Sequence, residues 1–200
     1  MSLVVMNIRK LTLMAILTAI ALIIFIIEAL IPLPVPIPGV KLGLANAVTL
    51  FALFYGAAGA ARNDGAKRDD GAARNDGEGQ GVITLTAANA FAILLCRIVL
   101  GAVFVGRPVA LFYSLTGGLL GFAAQVIMKR FVSEKQIWVC GAVGAVFHNI
   151  GQILAAIVIT GTPAIVLYLP MLIIAGVITG ALTGFIAQFT LTRIRLPLKT

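Results

Sequence analysis

Residues 32–50, PLPVPIPGVKLGLANAVTL, separate two long apolar runs, and the layout of the chain follows from how they are read. Pro32, Pro34, Pro36 and Pro38 recur at every second position. Each fixes φ and lacks an N–H, so neither a helix nor a sheet ladder runs through them, and the segment is expected to be extended. Gly39 then releases the chain. Lys41 and Asn46 follow at the mouth of the next apolar run, where polar side chains need water or a ligand. Two readings fit: a stiffened connector between membrane helices, of the short kind common in such proteins, or a cover over a substrate.

The rest of the chain makes the membrane setting clear. It is 60% hydrophobic and 11% charged with a mean hydropathy of +1.09, against roughly 45–50% apolar and about 25% charged residues in a soluble domain. Working outward from residues 32–50, the apolar runs are 11–31, 42–61, 82–105, 109–128, 137–160 and 164–192. Each is long enough, at a rise of about 1.5 Å per residue, to cross a hydrocarbon core of about 30 Å. The expected architecture is all-α: residues 1–200 as one polytopic domain, a bundle of six transmembrane helices. The first run follows Arg9 and Lys10 as a signal peptide would. It is too long for one, and no small-residue cleavage site precedes the prolines.

The net charge of +8 does not point to nucleic acid, because the basic residues flank apolar runs, where a membrane protein carries them. Alternate connections give the orientation. Arg9 and Lys10, then Arg62, Lys67, Arg68 and Arg74, then Lys129, Arg130 and Lys135, and finally Arg193, Arg195 and Lys199 fall on one side; only Lys41 and Arg107 fall on the other. The positive-inside rule puts both termini in the cytoplasm, and the expected location is a bacterial cytoplasmic membrane. Cys96 and Cys140 lie in apolar runs without metal or redox spacing and read as small core residues.

Residues 62–81, RNDGAKRDDGAARNDGEGQG, repeat the hexamer AARNDG that begins at Ala60 and again at Ala72. They offer nothing to bury and are expected to form a disordered cytoplasmic loop. Asp69 and Asp70 do not start the DDxxD that binds magnesium on a prenyl diphosphate, because Gly71, Ala72 and Ala73 follow. The chain therefore offers no catalytic or metal motif and no cofactor site.

Small residues mark where helices can approach closely: Gly117 and Gly121 in the fourth run, Gly141 and Ala145 in the fifth, Gly176, Gly180 and Gly184 in the sixth. Ala15 and Ala19 form a similar face on the first, readable as bundle packing or as docking for a partner. Polar chemistry inside the runs is sparse. Ionisable groups at bilayer depth cost roughly 2.5–3.5 kcal/mol and normally face a partner or a cavity. Glu28, Arg97 and His148 are such groups; Asn46, Asn149, Gln152 and Tyr168 join them in the half of the bundle nearer the outer side, with Lys41 above. Asn89, Gln125 and Gln188 are isolated exceptions in the inner halves. The cluster reads either as an outward-opening ligand site or as a clamp in which Glu28 pairs with Arg97 and His148 is hydrogen-bonded. If a site, its cations (Arg97, Lys41 and a protonated His148) favour a ligand with an anionic or acceptor-rich end.

Five blocks carry a family resemblance: IPGVKLGLANAVTLFAL (37–53), RIVLGAVFVG (97–106), SLTGGLLG (114–121), GAVGAVFHNIGQ (141–152) and YLPMLIIAGVITGALTG (168–184). Together they resemble the small membrane proteins called Gx transporters, also labelled heptaprenyl diphosphate synthase component I. That family is in turn similar to the six-helix substrate-binding components of energy-coupling-factor vitamin transporters. The resemblance implies an outward pocket beneath the first loop. It also implies that Ala15 and Ala19 dock to a transmembrane coupling protein that works with ATPases. Residues 62–81 depart from the pattern on the side where such a partner would sit. The two labels imply different roles: a binding component that captures a vitamin-like molecule or an isoprenoid or quinone precursor from outside, or a non-catalytic membrane subunit of a prenyl diphosphate synthase or quinone-linked assembly.

Overall fold

The computed structural model describes residues 2–31, 41–56, 85–106 and 108–195. The proline segment, residues 62–81 and Arg107 lie outside them. Among the described residues the chain is helical without strands. The helices are α1 (Ser2–Leu30), α2 (Asn46–Gly56), α3 (Ala87–Val105), α4 (Pro108–Met128), α5 (Ile137–Thr160) and α6 (Leu169–Arg195). Five, all but α2, are long and apolar enough to cross a membrane, α6 together with the short 3-10 turn before it. The chain is a multi-pass membrane protein.

Apart from α1, which begins at Ser2 rather than at residue 11, three boundaries differ from the sequence reading, each for a local reason. The second run does not become helical at residue 42: Gly43 has φ +80° and the helix starts at Asn46. The third starts at Ala87 because Thr86 and Asn89 form a reciprocal capping box, which gives Asn89, an unexplained polar residue in the sequence, its role. The sixth opens with a 3-10 turn, Pro163–Tyr168, before α6. Pro170 has no N–H to donate one turn back and its ring crowds that turn, so the α-helix begins afresh at Leu169 with Pro170 in its first turn.

The burial pattern sorts the helices into centre and periphery. α1 buries a single stripe, Leu17, Ala21, Phe25 and Glu28, at helical spacing, while Leu11, Ile16, Ile23 and Ile27 face outward. α2 is enclosed on nearly all sides by contrast, with Leu50, Leu53 and Phe54 in a core shared with Leu17 of α1, Ile93 of α3, Ile137 of α5 and Leu191 of α6. Lys129, just past α4, donates to the Leu53 carbonyl at 2.6 Å, and burial pushes its ammonium below the ordinary lysine value. A second, smaller core joins Tyr113, Ile153, Ala156 and Leu172 toward the other end. Cys140 is buried, but Cys96 is exposed on the outer face of α3, which corrects the reading of both as core residues.

Lipid tails are as apolar as leucine, so helices in a bilayer gain from close backbone packing more than from expelling solvent. α5 packs along both α4 and α6. A Cβ on Gly180 would come within 2.7 Å of Ala145 Cβ and 2.8 Å of Ala142 Cα, and one on Gly184 within 2.6 Å of Trp138 Cα. On the α4 side, a Cβ on Gly121 would lie 2.8 Å from the Gly144 carbonyl oxygen, and one on Gly117 would lie 2.8–2.9 Å from His148 and Gln152 atoms. Gly141 meets the backbone of Gly180 and Gly184. Backbone cannot rotate away as a side chain can, so Gly141→Val is expected to cost about 3 kcal/mol or more through overpacking. A detergent-purified variant that kept the wild-type melting temperature would refute the close crossing of α5 on α6.

Candidate functional site

Residues 41–46 form a strap that leads into α2, and three helices reach it with polar side chains. From α1, one Glu28 oxygen accepts from the Gly43 N–H and, at 3.2 Å, from the Leu44 N–H. From α5, Gln152 Oε1 accepts from the Lys41 N–H at 3.2 Å. From α3, Arg97 donates through a terminal nitrogen to Asn46 Oδ1 at 2.9 Å. Backbone approaching the start of a helix carries N–H donors that no preceding turn satisfies, and here carboxylate and amide side chains fifteen and 111 positions away in sequence supply the acceptors. Gly43 is required twice over. Its positive φ is one that L side chains rarely adopt, and a Cβ there would lie 2.8 Å from His148 Cδ2 and 3.0 Å from Asn46 Nδ2.

The Glu28–Arg97 pairing of the clamp reading is replaced by this arrangement. The Glu28 carboxylate is turned to the strap's N–H groups and Arg97 to Asn46. The reason is geometric: two main-chain donors in a buried turn have no other acceptor, whereas the guanidinium finds one on the first turn of α2. Lys41 is not at a mouth. It is buried, its Nζ 3.0 Å above the Phe25 ring centroid and 3.4 Å from the Phe25 carbonyl. Burial lowers its ammonium to about 8, against the Glu28 carboxylate, which acts to raise it.

His148 also differs from the sequence reading. A main-chain N–H can only donate, so Lys41 fixes Gln152 with its oxygen toward the strap and its NH2 toward His148. Gln152 Nε2 lies 3.0 Å from His148 Nε2, which must then accept. The imidazole is neutral in this arrangement, with its hydrogen on Nδ1, and does not add the positive charge expected from the sequence. Asn149 turns to α6 instead, donating to the Leu172 carbonyl at 2.6 Å. Tyr168 packs against the second apolar core. The strap thus gathers Glu28, Lys41, Asn46, Arg97, His148 and Gln152, while Asn149 and Tyr168 sit against the α5–α6 side.

Several buried polar atoms have no hydrogen-bond partner among the described residues: Arg97 Nε, Asn46 Nδ2, His148 Nδ1, Thr49 Oγ1, Ser114 Oγ and Asn149 Oδ1, with Gln188 Oε1 farther away. Asn46 must turn its oxygen to Arg97, so its free atom is a donor, as is Arg97 Nε. Thr49 and Ser114 were not singled out in the sequence. Helical spacing could have found both, since Thr49 is one turn from Asn46 and Ser114 one turn from Gly117.

A family model described as heptaprenyl diphosphate synthase component I matches residues 17–61 and 80–190. The unmatched interval falls on the charged repeat. No curated protein and no solved structure matches the chain. With the match covering most of its length, the chain belongs to the heptaprenyl diphosphate synthase component I family.

Proposed function

We propose that this protein is the membrane-embedded binding component of a transport system, capturing from the outer side a small, partly apolar molecule with an anionic or acceptor-rich end. One observation carries the reading. Among the described residues, Arg97 Nε and Asn46 Nδ2 are buried donors without acceptors at the start of α2, and His148 Nδ1 has only the Gly117 carbonyl beside it, outside hydrogen-bond geometry. Leaving such donors unpaired costs of order 1–3 kcal/mol each, and a ligand offering acceptors relieves that cost. Vitamin-like compounds and isoprenoid or quinone precursors have such an end on an apolar body. A native mass spectrum of the detergent-purified protein should contain a co-purified small molecule, and the Arg97→Met preparation should lack it. Equal retention by both would reject the assignment.

In this reading the end of the bundle bearing Lys129, Arg130, Lys135 and Arg193 faces the cytoplasm. In a background without Cys96 and Cys140, a cysteine at Thr162 should react with an impermeant thiol reagent applied outside cells, and one at Ser133 should be protected; the reverse pattern would invert the orientation. Ala15 and Ala19, exposed on α1, dock a transmembrane coupling protein energised by ATPases. Ala15→Trp and Ala19→Trp should each abolish co-purification with that partner without unfolding the chain, because a wide side chain holds two helices apart. Retention of the complex by both would mean that the face meets only lipid.

A second reading has the family description behind it: a non-catalytic membrane subunit that holds a prenyl diphosphate for a separate synthase component. A diphosphate is also acceptor-rich and would use the same donors.

A further inference from the structure

The hydrogen bonds at the strap run in one direction. The Lys41 N–H has no lone pair, so Gln152 Oε1 is committed to it at 3.2 Å. The Gln152 NH2 is then committed to His148 Nε2 at 3.0 Å, and the hydrogen of the ring is left on Nδ1, which has the Gly117 carbonyl beside it but outside hydrogen-bond geometry. Gln152, Arg97 and His148 are each at least 97% buried, with 0, 2 and 3% of their surface exposed, so bulk water does not compete for these roles.

We propose that Gln152 is a positioning residue that holds His148 neutral as the Nδ1–H donor, and that the site in consequence selects a monoanionic, carboxylate-like ligand end over a diphosphate. The charges around the strap are Arg97 and Lys41, both positive, and the Glu28 carboxylate; with the imidazole neutral, they leave one positive charge uncompensated. An uncompensated charge away from water costs several kcal/mol, and so does an excess of the opposite sign. One carboxylate balances the site. A diphosphate, with two or more negative charges, overshoots it unless His148 becomes an imidazolium, and Gln152 prevents that for as long as the Lys41 N–H holds its oxygen. Among the described residues, Asn46 Nδ2 and Arg97 Nε are the unpaired donors on the strap side of the ring, two for a carboxylate's two oxygens. The selectivity half of this inference rests on the binding reading above; the relay does not.

The chain contains a single histidine, so isotope-labelled imidazole nitrogens report on His148 alone. At neutral pH the detergent-solubilised protein should show a protonated, pyrrole-type Nδ1 and a pyridine-type Nε2. Gln152→Glu, which presents only acceptors, should move the hydrogen to Nε2. Should that variant not fold, Gln152→Met, which offers neither group, should give a mixture of the two tautomers. Packing alone would change neither nitrogen. An imidazolium or an Nε2–H in the wild type, or a wild-type spectrum in whichever variant folds, overturns the relay. The probes are octanoate and octyl diphosphate, equal in chain length and different in head charge. Octanoate should shift the His148 resonances at a concentration about tenfold lower, equivalent to about 1.4 kcal/mol. Tighter binding of octyl diphosphate with the expected tautomer overturns the selectivity and favours the synthase-subunit role. Perturbation by neither probe removes the binding site itself and leaves the relay standing.

Discussion

Arg97→Met is expected to lower affinity for the co-purified small molecule by about 10- to 100-fold while leaving the melting temperature unchanged or raised. The two effects separate because they arise from different partners. A hydrogen bond to a charged group contributes about 1.5–3 kcal/mol, and Arg97 brings both its charge and its free Nε to any ligand at the strap. Among the described residues it has one hydrogen bond, to Asn46, in return for the burial of a full charge, and replacing a buried charge by a hydrophobic residue of similar length is often neutral or stabilising. A clamp residue behaves in the opposite way, losing stability with no ligand to lose. Binding by calorimetry and melting by intrinsic fluorescence, on the same monodisperse preparations, distinguish them. Unchanged affinity with a lower melting temperature would make Arg97 structural.

Gly43→Ala is expected to be the most damaging single methyl group in the strap. The left-handed conformation costs a non-glycine residue roughly 1–2 kcal/mol, and fitting a methyl into a tightly packed position typically adds about 1–3 kcal/mol. The neighbours are the His148 ring, held by Gln152, and the Asn46 amide, held by Arg97, so neither gives way without breaking a buried hydrogen bond. Ligand affinity and melting temperature should fall together. As a control for the methyl group alone, Gly161→Ala carries a similar φ of +65° with nothing within 4 Å of its Cβ and should show the backbone cost only. If Gly43→Ala were no worse than Gly161→Ala, the close approach of strap and His148 would be refuted.

The membrane bundle was legible in the sequence because length and apolarity suffice to define a spanning helix: five of the six runs appear as long helices within a few residues of their expected bounds. The residues that gather at the strap were mostly legible too, since a charged or amide side chain in an apolar run is conspicuous. Their pairing was not. Opposite charge suggested Glu28 with Arg97, but the strap's main-chain N–H groups, which leave no mark in the sequence, claim the carboxylate. The state of His148 was hidden for the same reason, being decided by a backbone donor 107 positions away (148 − 41) through the side chain of Gln152. Asn149 adjoins His148 in sequence, yet on a helix consecutive residues point about 100° apart, and it serves α6 instead.

The attachment of Glu28 to the Gly43 and Leu44 N–H groups has a bearing on how the protein is made. The two partners are separated by fifteen residues, so both have left the ribosome while most of the chain is still untranslated, and α1 need not wait in the bilayer with an unanswered carboxylate. The Lys41 link to Gln152 spans 111 residues and forms only once α5 has been delivered. Synthesis therefore closes the acidic end of α1 first and completes the strap last, so a chain truncated before α5 would keep the Glu28 attachment but lack both Gln152 and His148, which α5 carries.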